Sequence, residues 1–430
     1  MNFIKGLSIT GGTTVLITII AFLNNVIVTN QIGADGRGKY VIITNIILLF
    51  SLLLGEGIKR SNTILVGNDR SNLSKLISQT LVYGIFLSIL FLAAFVLKSY
   101  WMFLIPNLSS QLIILALIIT LFTILWRATQ ALFLGLEKIY EFNLLQILTI
   151  ALTFLINLVG IFFFDFELLQ IVYTITFSTI ITFILGIIKL KAKISIKDFD
   201  YSIFKSSTVS ISTKSTLSAL QNFATLKGDL FLINFFLSSA SAGIYSIALV
   251  FSEILQKIPN IAGPLIVSRS ANSSHKNTEE ITSRLFKTTL YLDLIIGIIL
   301  VLLGKLIIVS LFGNEFEESY LVLLFLLPAL IFYGPGTILH AFFMGKGYPK
   351  FMLWCNGSIA IINISLNILL IPKYGFMVAG IISSFSYTLW TLIYIYYFVT
   401  NTSQDFSKLF LVNNDDITII RKIYIKKKTL

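Results

Sequence analysis

LISQTLVYGIFLSILFLAAFVL, residues 76–97, holds 22 residues without a charge between Lys75 and Lys98. As a helix it measures about 33 Å, close to the hydrocarbon thickness of a bilayer. Eleven further apolar runs flank it. Before it lie Gly12–Val28 and Tyr40–Gly55; after it come Leu112–Phe133, Leu144–Phe164, Leu168–Ile188, Ser207–Leu237 and Gly243–Val267. The last four are Thr288–Leu311, Tyr320–Phe343, Phe351–Ile371 and Phe376–Val399. The Tyr40 run is short and the Ser207 run long and polar. Together they predict an all-α polytopic membrane protein of about 12 transmembrane helices.

A chain 56% hydrophobic and 12% charged, with mean hydropathy +0.90, is not a soluble domain with a large core. Its net charge of +12 would suit a nucleic-acid partner, but the placement of the charge argues against one. With the N-terminus in the cytoplasm, 23 of the 32 Lys and Arg fall on cytoplasmic segments, four outside and five within runs. The outer four are Arg37, Lys39, Lys98 and Lys373. The positive-inside rule then puts both termini in the cytoplasm. The start Met1-Asn2-Phe3-Ile4-Lys5 resembles a secretory leader, but no A-x-A-like cleavage site follows, and it reads as an uncleaved first helix.

External connections are short, whereas Gly57–Lys75, Lys189–Lys205, Ser268–Lys287 and the basic tail from Thr400 are longer and cytoplasmic. A faint repeat runs through the chain. Gly38-Lys39-Tyr40 matches Gly243-Ile244-Tyr245 at offset 205, and Arg60-Ser61 matches Arg269-Ser270 at 209. Gly135 with Asn157 matches Gly345 with Asn367 at 210. Two parallel six-helix lobes are expected, 1–197 and 198–399 with a tail at 400–430, and a substrate site between them.

The seventh run carries the sharpest polar signal. Ser207, Ser210, Lys214, Ser218, Gln221, Thr225 and Asp229 fall within a stripe about 100° wide, which should not face lipid. Thr14, Thr18, Asn25 and Thr29 make a thinner stripe on the first helix, and Asp229 corresponds to Asn24 at offset 205. Helices one and seven are thus expected to line one aqueous cavity. Charges within runs are Arg127, Lys214, Lys227, Lys257 and Lys305 against Asp229, Glu253 and Asp293. Unpaired, the eight would cost about 20 kcal/mol. Glu253 and Lys257 are expected to pair at i,i+4; Arg127 and Asp293 should reach the cytoplasmic interface, and Lys305 the outer one. Lys214, Arg127, Lys257, Ser218, Gln221 and Asn25 are candidate substrate contacts in this cationic interior, and Asp229 and Glu253 candidate carriers of a coupling ion, H⁺ or Na⁺. Interhelical bridging is the alternative role for all of them.

Catalytic patterns are missing from the sequence. The two histidines, His275 and His340, and the lone Cys355 make no usual metal site or intramolecular disulfide, and no GxxxxGK[ST] loop binds ATP. No cofactor is expected. Gly33–Gly38 reads as an external turn, and Glu315, Glu317 and Glu318 as a solvated loop. Pro259, Pro264, Pro328 and Pro335 mark bends in the eighth and tenth runs.

At these residues the chain resembles the polysaccharide repeat-unit flippases, the Wzx type within the multidrug/oligosaccharidyl-lipid/polysaccharide exporter superfamily. The resemblance rests on Gln31-Ile32-Gly33 through Gly38-Lys39-Tyr40, on Leu54-Gly55 with Arg60, and on Leu134-Gly135-Leu136 before Asn143-Leu144-Leu145-Gln146. Lys227-Gly228-Asp229 through Ala242-Gly243-Ile244-Tyr245-Ser246, Leu311-Phe312-Gly313 and Asn367–Gly375 complete it. It implies two lobes in a V and an undecaprenyl-pyrophosphate-linked oligosaccharide, carried to the outer leaflet of the inner (plasma) membrane by ion-coupled alternating access for O-antigen or capsule synthesis. It also implies partners among membrane lipids, the polysaccharide polymerase and the chain-length machinery, and no nucleic acid. The family's arginines after the second and eighth helices match Arg60 and Arg269, and its seventh-helix acid matches Asp229. Ser268-Arg269 departs from the Pro-Arg often found there. Rival readings are a lipid II flippase, a multidrug exporter of the same fold, and a membrane polymerase. The last would need a large external loop, the exporter an acid-dominated cavity, and the lipid II flippase two more helices.

Overall fold

The computed structural model describes residues 3–100, 102–105, 107–190, 212–271, 277–347 and 349–411. Side chains are described from residue 10 onward, except those of 104, 212–215, 218, 257, 258, 260 and 349. Among these residues the secondary structure is helical, without a strand. In order, the helices are α1 Phe3–Asn68, α2 Leu73–Val96, α3 Ser110–Gly135, α4 Ile139–Phe164, α5 Leu168–Leu190 and α6 Ser212–Phe236. There follow α7 Ser239–Leu255, α8 Lys257–Ala271, α9 Thr278–Phe312, α10 Ser319–Lys346, α11 Pro349–Tyr374, α12 Met377–Asn401 and the short α13 Phe406–Phe410.

Nine helices among the described residues are long and apolar enough to cross a membrane. The difference from twelve runs has local causes. The first two runs share α1, and α6 is too polar to count. The run Gly243–Val267 is split at Gln256, between α7 and α8. Pro259 has no N–H for the carbonyl of Leu255, its helical partner four residues back, so α7 ends at Leu255. The expected Glu253–Lys257 pair straddles this break; Glu253 is exposed, and the side chain of Lys257 lies outside the described residues.

The glycine-rich turn expected at Gly33–Gly38 contracts to one residue. Gly33 has φ 64 and ψ −173, a conformation open essentially to glycine alone, and it divides α1 into a first arm, 3–32, and a second arm, 34–68. Asp35 and Lys39 pair at 2.6 Å one turn apart at the start of the second arm.

The chain divides into two compact units, Met1–Ser246 with Leu311–Phe316, and Ile247–Ser310 with Glu317–Leu430. In the first unit Val66, Leu76, Ile77, Leu132, Phe133, Leu145 and Leu190 form an apolar core. Asn62 crosses between helices there, donating to Thr80 and to the Ala128 carbonyl. Repeat-related glycines meet in the same unit. A Cβ on Gly38 would fall 1.7 Å from the Ser239 carbonyl oxygen, and one on Gly243 2.0 Å from that of Ala34. Ser239 and Ala34 are themselves 205 apart, so the contact is reciprocal. Gly135 and Gly345 repeat the theme within their own units: a Cβ would lie 2.4 Å from the Thr63 oxygen and 2.5 Å from that of Val267, respectively.

In the second unit, aromatic rings of α10–α12 stack on one another, with Phe351 and Tyr397 parallel at 3.8 Å. α10 runs through Pro328 and Pro335 as one helix. Beside Pro328 the Ser384 hydroxyl of α12 donates to the Phe325 carbonyl and accepts from the Ala329 N–H at 3.3 Å. Phe325 and Ala329 are i,i+4 partners, so a hydroxyl from the neighbouring helix is inserted into the ladder that the proline loosens. Ser384→Ala should lower the thermal midpoint in detergent, in step with the roughly 0.5–1.5 kcal/mol net worth of a typical hydrogen bond.

Large apolar side chains cover the outward faces, among them Phe163 at 78% exposure, Leu302 at 73% and Trp354 at 79%. Such faces are stable only against lipid, and the protein is a multi-pass membrane protein.

Candidate functional site

Lys59 and Arg60 follow Glu56 by one turn on the second arm of α1, so all three share a face. Arg127 arrives from α3, brought close where a Cβ on Gly55 would lie 3.1 Å from Ile124. The Glu56 carboxylate takes Lys59 Nζ at 3.3 Å, Arg60 Nε at 3.5 Å and Arg127 Nη2 at 3.8 Å. Exposure climbs from 12% at Glu56 through 25% at Arg127 and 37% at Lys59 to 48% at Arg60. One half-sheltered acid thus gathers three cations and leaves two positive charges in excess. Contacts this long and open add little stability. What they provide is a fork of guanidinium and ammonium donors suited to phosphoryl oxygens.

Elsewhere in the first unit, Arg37, assigned by charge to an outer connection, is buried within the protein at 4% exposure. Its Nε donates to Ser246 Oγ at 3.0 Å, its Nη1 to Asn25 Oδ1 at 2.8 Å, and it lies over the Tyr40 ring. The helical start of the second arm carries it inward. Arg37→Ala strips both acceptors of this donor and should destabilise the purified protein by about 1–3 kcal/mol, read as a lowered thermal midpoint.

Asp229 on α6 is fully buried; Tyr245 Oη donates to its Oδ2 at 2.5 Å and the Leu230 N–H to its Oδ1 at 2.8 Å. Its counterpart Asn24 accepts from Asn157 at 2.9 Å, whose own oxygen accepts from Thr174 at 2.7 Å. Both repeat-related positions are thereby fixed in interhelical hydrogen bonds.

The structure therefore brings Arg60 and Arg127 to one carboxylate, and joins Asn25 to Arg37. Gln221 is half-buried on α6, and Thr225 on the same stripe is buried. Arg269 is exposed in the last turn of α8, in the second unit. Lys214 and Ser218 sit on α6, with side chains outside the described residues. Glu253 belongs to the second unit and Asp229 to the first.

Sequence reasoning missed Glu56, although its spacing from Lys59 and Arg60 was a readable signal. The helix that carries Asp293 begins at Thr278, ten residues before the apolar run, and Asp293 lies midway along it with 0% exposure. Lys305 does lie open, paired with Glu317 at 2.6 Å, so that acid is not merely solvated.

Residues 3–267, more than half of the chain, match the family described as polysaccharide biosynthesis protein. The chain belongs to that family. Among solved structures, the chain resembles the lipid II flippase MurJ in an inward closed conformation, with TM-score 0.73 and 15% identity over 96% of each chain. It also resembles an inward-facing multidrug resistance MATE family transporter of the MOP superfamily, with TM-score 0.72 and 14% identity over 90% of this chain and 96% of that one. A MOP superfamily transporter from Pyrococcus furiosus, described as having a binding pocket of reverse polarity, gives TM-score 0.62 at 13% identity over 92% and 95%. These likenesses establish the MOP-type transporter fold. No curated protein sequence matches the chain.

Proposed function

We propose that this chain is a flippase that moves an undecaprenyl-pyrophosphate-linked oligosaccharide from the cytoplasmic to the outer leaflet of the inner membrane, for O-antigen or capsule synthesis. The Glu56 cluster carries the reading. A family of polysaccharide biosynthesis on a transporter fold needs a receptor for an anionic head, and Lys59, Arg60 and Arg127 supply donors at a half-buried position. Glu56 holds them apart from one another and yields them to pyrophosphate, which offers more oxygens. Arg269, with Lys214, Lys257, Ser218, Gln221 and Asn25, contributes further contacts as the head advances through two alternately opening six-helix lobes. The polyprenyl tail stays in lipid, where moving it gains nothing. Asp229, or Glu253, exchanges H⁺ or Na⁺. Both termini lie in the cytoplasm, and the polymerase and chain-length machinery receive the product; the chain itself performs no catalysis.

The test is accumulation of lipid-linked repeat units in a deletion strain. Wild type should clear them and an Arg60→Ala/Arg127→Ala double variant should not. Restoration of lipid II export or of cationic drug efflux, without clearance of repeat units, would replace this reading by one of its rivals.

A further inference from the structure

Asp293 stands apart from every group described so far. It lies midway along α9, with no exposed surface, and among the described residues no hydrogen-bond donor reaches either carboxylate oxygen. Its face of α9 is turned from lipid: Phe286, Leu290 and Leu300 are buried, whereas Ile295, Ile298 and Leu302 on the other face are exposed. The side chain meets α10 at Gly334-Pro335-Gly336, where a Cβ on Gly334 would lie 2.5 Å from Asp293 Oδ2 and 3.3 Å from Thr289 Cγ2. One turn on, a Cβ on Gly297 would be 3.3 Å from Ile331. Glycines on both helices thus leave room for the neighbouring helix's side chains around a single acid.

The neighbouring titratable groups are otherwise engaged. On α9, Lys287 is buried six residues earlier and has partners of its own. On α10, Tyr333 packs on Tyr387 and Trp390, and His340 on Trp390 and Tyr394. An isolated carboxylate in such surroundings costs several kcal/mol, which either a proton or a cation removes. A hard cation takes six or more oxygens, and among the described residues no group of three His, Cys, Asp or Glu gathers. A proton needs only the one carboxyl.

We propose that Asp293 is a proton-binding site of the second unit, neutral while α9 and α10 are in contact at Gly297 and Gly334, and ionised when that contact opens to water. It adds a carrier to Asp229, in an element that the substrate contacts do not use. Proton binding stands by itself; its coupling to transport rests on the flippase reading.

The experiment uses the full chain in proteoliposomes and dicyclohexylcarbodiimide, which attacks protonated carboxyls in apolar surroundings. Peptide mass spectrometry should find Asp293 modified at pH 6, with modification falling by about tenfold per pH unit once the group ionises. Sodium at constant pH should not protect it. In vesicles with a fluorescent polyprenyl-pyrophosphate oligosaccharide, Asp293→Asn should keep downhill flipping and lose its acceleration by a pH gradient. Asp293→Leu should hold or raise the thermal midpoint, because no donor is orphaned. An unmodified Asp293, protection by sodium, or an Asn variant still driven by the gradient would each overturn the proposal. If wild type flips no such lipid while the labelling pattern stands, the flippase reading alone fails.

Discussion

Gly38→Ala should leave almost no folded protein in the membrane fraction. The new methyl would sit 1.7 Å from the Ser239 carbonyl oxygen, an atom of backbone that no rotamer change can move aside. Accommodating it means separating the second arm of α1 from α7, and with them the Arg37 bond to Ser246. Overpacking in a site that cannot relax costs about 3 kcal/mol or more, a large share of the stability of most folds. Gly243→Ala should act alike, since its methyl would meet the Ala34 oxygen at 2.0 Å. Gly12→Ala is the control: nothing lies within 4 Å, and helix propensity favours alanine by about 1 kcal/mol, so the thermal midpoint should hold or rise. Fluorescence-detected size exclusion on the three variants reads the outcome directly, and a monodisperse Gly38→Ala peak at wild-type yield would refute the packing argument.

Arg127→Ala should have the largest effect on transport. Of the three cations around Glu56 it is the most sheltered, at 25% exposure, and it alone comes from α3. A charge-assisted hydrogen bond is worth about 1.5–3 kcal/mol, so flipping of the lipid-linked substrate should slow about 10- to 150-fold while the protein stays folded. Arg127→Lys should recover only part of the rate, because an ammonium cannot present the planar fork. Glu56→Gln should slow transport too, by freeing Lys59, Arg60 and Arg127 to repel one another. Arg284→Ala, which removes a half-buried partner of Glu280 in the second unit, should leave the flipping rate unchanged. The readout is the initial flipping rate in proteoliposomes; a loss common to Arg127→Ala and Arg284→Ala would mean that bulk charge alone matters.

Much of the architecture was legible in one dimension because a bilayer demands so few things of a helix. The charge-free stretch 76–97 lies within α2 but for Leu97, and Leu112–Phe133 within α3. The repeat offset of 205 reappears as the reciprocal contact of Gly38 and Gly243. What the letters hid was three-dimensional. Arg37 sits among glycines, which read as a turn, and only the single left-handed residue Gly33 reveals that helix resumes at once. The burial of Asp293 against Gly334 was hidden because the apolar pattern does not show which face of a helix meets a neighbour. The break at Gln256 was foreshadowed by Pro259, but a bend and a break look the same in sequence. Glu56 escaped notice because, one residue beyond an apolar run, an acid passes for solvated.

Ser384 bridging Phe325 and Ala329 has a mechanical corollary. A transmembrane helix normally resists bending because each opened rung strands a carbonyl in oil. Here the rung is already spliced by a hydroxyl from next door, so α10 can flex at Pro328 by lengthening contacts to one side chain while its own backbone keeps its remaining bonds. Compliance is thereby concentrated within one turn of chain, and it is tied to wherever α12 goes; a tether from position 325 to 384 would stiffen this joint without touching any charged residue.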